Sequence, residues 1–269
     1  MAGLNAKFRF EDAPVRRQGV EPILKRMAAW GALTASEQSR IDALATRMAD
    51  IVSAGETLRR EGDRDQRLRY VLSGWACVKR SMPDGRQQIF GLVLPGDPIG
   101  LSMEPCCYTS DVVALTPMRL VDAGPAVDAA ADPSESEMLG TLSLATDARQ
   151  GWLLEQVMRL GRLNARERTA HLLLEIHERL SEVGLVTGDS FKAPVTQETL
   201  GDILGLSIVH VNRVLQQLRR ERLISMRNGH VTLIARDTLV ALAAYKSPRE
   251  RLAVRSREVA GDGGQPNER

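Results

Sequence analysis

The 269-residue sequence predicts an α+β chain: a half made of short antiparallel strands, one long helix, and a half made of short helices closed by a hairpin. Three observations predict it. From Ile51 to Gly100, short apolar or alternating runs are punctuated by Gly55, Gly62, Gly74, Gly85, Gly91, Gly96 and Gly100, with turn signals at Pro83-Asp84-Gly85 and Pro95-Gly96-Asp97. A helical stretch from Ser134 to Leu163 follows the Asp132-Pro133 break. Finally, a helix–glycine–helix pattern after Val195 runs into Arg227-Asn228-Gly229-His230, where Asn-Gly between two alternating runs signals a hairpin.

The strand-rich part reads as a small antiparallel β-roll. Ahead of it, Pro22 to about Asp50 reads as helical, with Ser36 as N-cap before Ile41, Leu44 and Met48. The expected divisions are a flexible leader at 1–20, a β-roll sensor domain at 21–133, a dimerisation helix at 134–163, a winged helix-turn-helix at 164–246 and a disordered tail at 247–269. The long helix carries Met138, Leu139, Leu142, Leu153, Val157 and Leu160, interrupted by Asp147, Arg149 and Gln150. An apolar edge on a helix between two domains suits pairing with a second copy; packing on its own domain is the alternative. Asn164 to Leu180 is a further helix with Leu172, Leu173, Ile176 and Leu180 on one face. Gly184, Gly188 and Asp189 mark a loop.

Hydrophobic residues make up 43% of the chain, enough for two cores, and the formal net charge is only +2, so overall charge does not announce a nucleic-acid partner. No apolar run is long enough to span a bilayer, which predicts a soluble cytoplasmic protein without a membrane partner. Three cysteines, Cys77, Cys106 and Cys107, make a poor disulfide framework. Cys77 reads as core. Cys106-Cys107 reads as a pair of small loop or buried residues, or as a redox sensor. No nucleophile–base set, His-Glu-x-x-His or phosphate loop is present, so no enzyme is expected.

Local charge and periodicity point to DNA. Thr196 is placed to cap a first helix with Leu200, Ile203 and Leu204 buried, Gly205 to end it, and Ser207 to cap a second. The second helix buries Val211, Val214, Leu215 and Leu218 and turns Val209, Arg213, Gln216 and Arg220 outward, flanked by Ile208, His210 and Asn212. Polar donors near the start of such a helix suit a major groove. From Thr196 to Arg236, six arginines face three acidic residues, a local net charge of +3 that suits phosphate. The hairpin that follows is a wing, with Arg227 beside its tip. Gln197 and Glu198, in the first turn of the first helix, are placed for the backbone or for Arg213. His210 is either a donor to phosphate or base or a solvated helix residue.

The pieces Tyr70-Val-Leu-Ser-Gly74, Asp84-Gly85-Arg86, Leu94-Pro-Gly-Asp-Pro-Ile-Gly100 and Thr196 to Leu215 with its wing resemble the cyclic-AMP-receptor/FNR (Crp/Fnr) family of transcription regulators over roughly residues 20–246. The resemblance implies a cyclic-nucleotide-binding-like β-roll, a long dimer helix and a winged helix reading a palindromic operator as a homodimer, with RNA polymerase as a partner if the protein activates. It also implies an effector pocket near Gly100, Leu101, Ser102, Ser110 and Asp111. Departures shape the expected chemistry. The family's cyclic-AMP binders carry Gly-Glu-Leu and then an arginine here; this chain has Gly100-Leu101-Ser102 and then Asp111, so cyclic AMP is not expected. Iron–sulfur relatives need several cysteines near the N-terminus, and none precedes Cys77. Carbon-monoxide-sensing relatives ligate haem with Cys and His after the same turn, where Gly100 and Ser102 stand, and no His precedes His171. No cofactor is therefore expected. Valine at 209, where several relatives place glutamate, cannot accept from cytosine but can meet a thymine methyl, Asn212 suits adenine, and Arg213 matches the family's contacting arginine. The operator should then differ from the cyclic-AMP-receptor half-site TGTGA. The alternative function is a ligand-binding regulatory module whose C-terminal domain is an interaction scaffold that does not touch DNA.

Overall fold

The computed structural model describes residues 19–31, 33–64, 67–100, 108–124 and 136–249, and for 136–144 the backbone alone. The expected leader at 1–20 and tail at 247–269 fall almost wholly outside these residues, as do Leu101, Ser102, Cys106 and Cys107.

The helical entry is two helices, α1 (Glu21–Trp30) and α2 (Ala35–Leu44). The N-cap of α2 is Thr34, not the expected Ser36. Thr34 Oγ1 accepts from the Glu37 amide at 3.2 Å while Glu37 Oε2 accepts from the Thr34 amide at 2.8 Å. That reciprocal box needs an acid three residues after the cap; Glu37 supplies it for Thr34, and Ser39 cannot for Ser36.

The roll is two four-stranded antiparallel sheets. One is ordered β1 (Asp50–Val52), β8 (Met118–Asp122), β3 (Arg69–Ser73), β6 (Pro98–Ile99). The other is ordered β2 (Thr57–Arg59), β7 (Asp111–Ala114), β4 (Ala76–Ser81), β5 (Gln87–Val93). The β4–β5 hairpin closes at the predicted turn, where the Met82 amide donates to Arg86 O at 2.7 Å. Val52, Val71, Ala76, Val93, Val112 and Leu120 fill the space between the sheets. α1 and α2 cover the outer face of the first sheet on Leu68, Tyr70, Leu72 and Val121.

The long helix α3 (Ser136–Arg162) leads into α4 (Ala165–Glu182), capped by Asn164. Then come β9 (Val186–Thr187), β10 (Ser190–Lys192), α5 (Gln197–Leu204), α6 (Ile208–Arg220), β11 (Ile224–Arg227), β12 (His230–Leu233) and α7 (Arg236–Ala243). The predicted loop at 184–189 instead holds β9 and the turn into β10. These extend the wing to a four-stranded sheet, β11-β12-β10-β9. Strands of two and three residues are too short to show alternation in sequence.

The second core crosses the domain boundary. Leu172, Leu173, Ile176, Leu200, Val211 and Leu218 of the C-terminal half pack in one cluster with Trp75, Cys77, Ile89, Leu92 and Leu94 of the roll. Cys77 is core as expected, and burial pushes its thiol up to about 11. The expected boundary at 246 also shifts. Ser247 is buried, and Pro248 lies against α3, where a Cβ built on Gly151 would come within 2.9 Å of it. Tyr245 donates to Glu178 Oε2 at 2.6 Å and meets His171 edge-on.

A buried ionic chain ties the halves together. Arg26 of α1 pairs with Asp97, in the turn after β5, at 3.0 Å and with Glu182 of α4. Arg179 also pairs with Asp97 and reaches Leu92 O at 3.0 Å. Glu175 sits between Arg179 and Arg159 of α3. Burial alone would raise the Glu175 carboxyl, but the two guanidinium groups hold it below the ordinary glutamate value. Removing the acid from such a chain strands buried cations. Glu175→Ala should lower the unfolding free energy by about 3–5 kcal/mol, read by urea denaturation; a loss near that of a surface ion pair would mean Arg159 and Arg179 are not held by this acid.

Candidate nucleic-acid interface

The reading unit is built from its caps inward. Thr196 Oγ1 accepts from the Thr199 amide at 3.0 Å and starts α5, and Ser207 Oγ accepts from the His210 amide at 3.3 Å and starts α6. Both caps are the residues expected from sequence. Gly205 ends α5 in the left-handed region, at φ 64° and ψ 38°. One residue was not foreseen: a Cβ on Gly201 would come within 2.7 Å of Leu206 O, so the turn folds back on the helix only because position 201 has no side chain. Its signal in the sequence is a glycine inside an otherwise regular helical pattern.

α6 buries Val211, Val214, Leu215 and Leu218. Its outward face carries Val209, 69% exposed, with Arg213, Gln216 and Arg220, all exposed. Ile208 and His210 are exposed beside it, while Asn212 is half-buried. Thr196, Gln197 and Glu198 are exposed at the start of α5. Arg227 is exposed at the end of β11, and the wing turns through Asn228 and Gly229 at φ 51° and 74°. Every predicted DNA-contacting residue thus reaches the surface in part or in full.

Position relative to the roll is set at the C-terminal end of α5, whose last carbonyls have no partner within the helix. Gln88 of β5 donates to Asp202 O at 2.9 Å, and Gln156 of α3 donates to Ile203 O at 2.6 Å. Arg168 of α4 donates to Leu204 O at 3.1 Å, and also to Leu160 O at 2.8 Å and Leu163 O at 2.7 Å at the end of α3.

α3 has two characters. Glu155, Gln156 and Arg159 are buried against the chain's own α4 and α5, whereas Leu153, Leu154 and Val157 are exposed. Leu160, placed on the pairing edge by sequence, is half-buried instead and lies 3.5 Å from a Cβ built on Gly205, because it follows Gln156 by one turn and shares its face. Leu139 and Leu142 lie where only the backbone is described.

Between α3 and the roll lies a cavity of 720 Å³. Gly100 and Ser110 line it, as expected for an effector pocket; Leu101 and Ser102 lie outside the described residues. Asp111 is not among the described lining residues, and its Oδ1 accepts from the Glu61 amide at 2.9 Å. Among the described residues no group of three His, Cys, Asp or Glu side chains is placed to hold a metal ion.

Residues 51–124 match the model of a cyclic nucleotide-binding domain, and residues 167–242 that of a Crp-like helix-turn-helix domain. The nitrogen fixation regulation protein FixK of Bradyrhizobium diazoefficiens is 29% identical over 82% of this chain and 92% of its own length. The transcriptional activator protein FnrL of Cereibacter sphaeroides is 32% identical over 67% of this chain and 74% of its own. The structure of FixK2 from Bradyrhizobium japonicum superposes with a TM-score of 0.65 at 26% identity, over 75% of this chain and 100% of that one.

Gly201 offers a test of the turn by sign. Glycine to alanine inside a helix ordinarily stabilises by about 1 kcal/mol. Here the added methyl meets Leu206 O, so Gly201→Ala should lower the thermal midpoint and weaken DNA retention together; a raised midpoint would show that the turn has room.

Proposed function

We propose that this chain, which belongs to the Crp/Fnr family of DNA-binding transcription regulators, works as a homodimer that reads a two-fold symmetric operator in double-stranded DNA and answers to a small molecule held between the roll and α3. The observation that carries the reading is the outward face of α6. A capped helix, backed by a wing and held by its buried side, turns Val209, Arg213, Gln216 and Arg220 to solvent. That geometry suits a major groove, with Arg227 beside the wing tip for the flanking phosphates.

Roles follow from chemistry. Arg213 forks onto guanine or a phosphate; Asn212 suits adenine; Val209 offers only a methyl surface, which favours thymine. Gln216, Arg220, His210 and Ile208 widen the contact, and Thr196, Gln197 and Glu198 sit where the first helix meets the backbone. Dimerisation uses the exposed edge of α3, where Leu154 is 60% and Val157 61% exposed. Apolar residues on one long helix edge gain by pairing with a second copy. No described helix is long and apolar enough to cross a membrane, and a DNA target suits a cytoplasmic location. RNA polymerase is a further partner if the regulator activates.

A cyclic nucleotide does not suit the cavity. Its cyclic phosphate needs a free cation in the wall. Arg26, Arg159 and Arg179 are already engaged by Asp97, Glu175 and Glu182, and Asp111 stands where the resemblance puts an arginine. Among the described residues the buried arginines of the wall are thus paired within the chain, which favours an occupant other than a cyclic phosphate.

Arg213→Ala should weaken specific binding by about 1–3 kcal/mol and relax sequence preference at one position if Arg213 reads a base. Selecting bound DNA from a random pool with wild type and variant in parallel checks this. A palindrome other than TGTGA-based sites is expected, and recovery of TGTGA half-sites, or of no consensus, would overturn the reading of Val209. Val157→Asp should shift the protein from dimer to monomer in sedimentation equilibrium at micromolar concentration; an unchanged dimer would remove α3 from the interface.

A further inference from the structure

The chain is poor in aromatic residues, at 4% and ten in all. Five of the ten, Trp30, Tyr70, Phe90, Tyr108 and Trp152, line the cavity between the roll and α3. They come from α1, β3, β5, the segment before β7 and α3, so no local repeat brings them together. Trp30 and Trp152 meet edge-to-face with ring centroids 6.3 Å apart. A space of 720 Å³ is the size of small-molecule pockets, which run to about 300–1,000 Å³. Ring faces and edges collected around such a space favour another ring over an alkyl chain, through offset and edge-to-face contacts.

Polarity narrows the class. The charged groups of the wall are committed elsewhere: Arg26, Asp97, Arg159, Glu175 and Arg179 to one another or to Glu182, and Arg80 to Glu61 and Thr109 O. Arg149 lines the cavity only from an exposed position on α3. Burying a charge there without a partner is costly.

We propose that the cavity binds an uncharged planar aromatic molecule stacked among these rings. This rests on the reading of the roll as a sensor and names the chemistry it senses. The occupant also touches Ile203 of α5 and Gln156 of α3, both in the wall, so it contacts the reading unit directly.

Gly91 provides a clean obstruction. It lies in β5 on the cavity wall, paired in register with Val78, which also lines the cavity, and a Cβ built on it meets nothing within 4 Å. Side chains at paired positions share a sheet face, so a leucine at 91 extends into the cavity. The experiment uses the full-length chain and three neutral probes, acridone, xanthone and flavone, titrated by quenching of tryptophan emission and by mass spectrometry. Saturable binding of at least one probe, at one per protomer, is expected. Trp30→Leu keeps an apolar side chain and removes the ring, and should weaken that probe about fivefold, the worth of one aromatic pair. Gly91→Leu should abolish binding while circular dichroism stays native. Failure of all three probes overturns the proposal. So does binding unaffected by both variants, or acridone-4-carboxylate binding more tightly than acridone. Should Gly91→Leu not fold, Trp30→Leu alone decides. DNA retention by the same preparation separates the two readings: a chain that holds DNA and no probe overturns the ligand class alone, and one that holds probe and no DNA overturns the regulator.

Discussion

A helix ends in carbonyls that nothing inside it can satisfy, and the placement of the reading unit follows from how this chain satisfies those of α5. Asp202 O is taken by Gln88 of the roll, Ile203 O by Gln156 of the long helix and Leu204 O by Arg168 of α4. Three donors on three elements fix a helix end in space as one donor could not. Arg168 also holds Leu160 O and Leu163 O, so a single guanidinium secures the ends of both α3 and α5. Its planar fork of donors suits that task; a lysine ammonium offers no such spread. α6 follows α5 because the two share Leu200, Ile203, Val211 and Leu218 in one core.

The roll supports this arrangement because a strand has two faces. In β4 and β5, Ala76 and Val93 point into the roll while Cys77, Ile89 and Leu92 point toward the reading unit. Alternation lets one strand pair serve two cores. At the other side, the ionic chain through Arg26, Asp97, Arg179, Glu175 and Arg159 adds direction to that apolar contact. Buried ion pairs give little net stability because desolvation offsets their attraction. Their contribution here is geometric: each guanidinium must find its acid, so the roll, α1, α3 and α4 meet in one register.

The reading unit was legible in sequence because its signals are local. Thr196 and Ser207 cap within three residues, Gly205 turns the chain by itself, and Asn228-Gly229 sets the wing turn. What was missed depends on distant residues. Gln156 and Arg159 carry no local signal in the sequence; their partners are Ile203, His171 and Glu175, all on later elements. The aromatic wall could not be foreseen, since its five members span positions 30 to 152 and only the closed roll collects them. Ser247 looked like the start of a polar tail, and only the fold shows that it is buried.

Of the two alternatives for α3, packing on its own chain is made by one edge, while the other edge stays exposed for the proposed pairing, because adjacent residues on a helix face different ways. Val157 is exposed while Gln156 beside it is buried and holds Ile203 O. In the proposed dimer, any rotation of α3 that reseats Leu153 and Val157 against the partner carries Gln156 with it. Gln156 cannot turn without releasing a carbonyl of the first reading helix, and the unmade bond is costly in a buried site. Gln156 and Ile203 also line the cavity, so Gln156 stands beside the cavity, the reader and the edge offered for pairing.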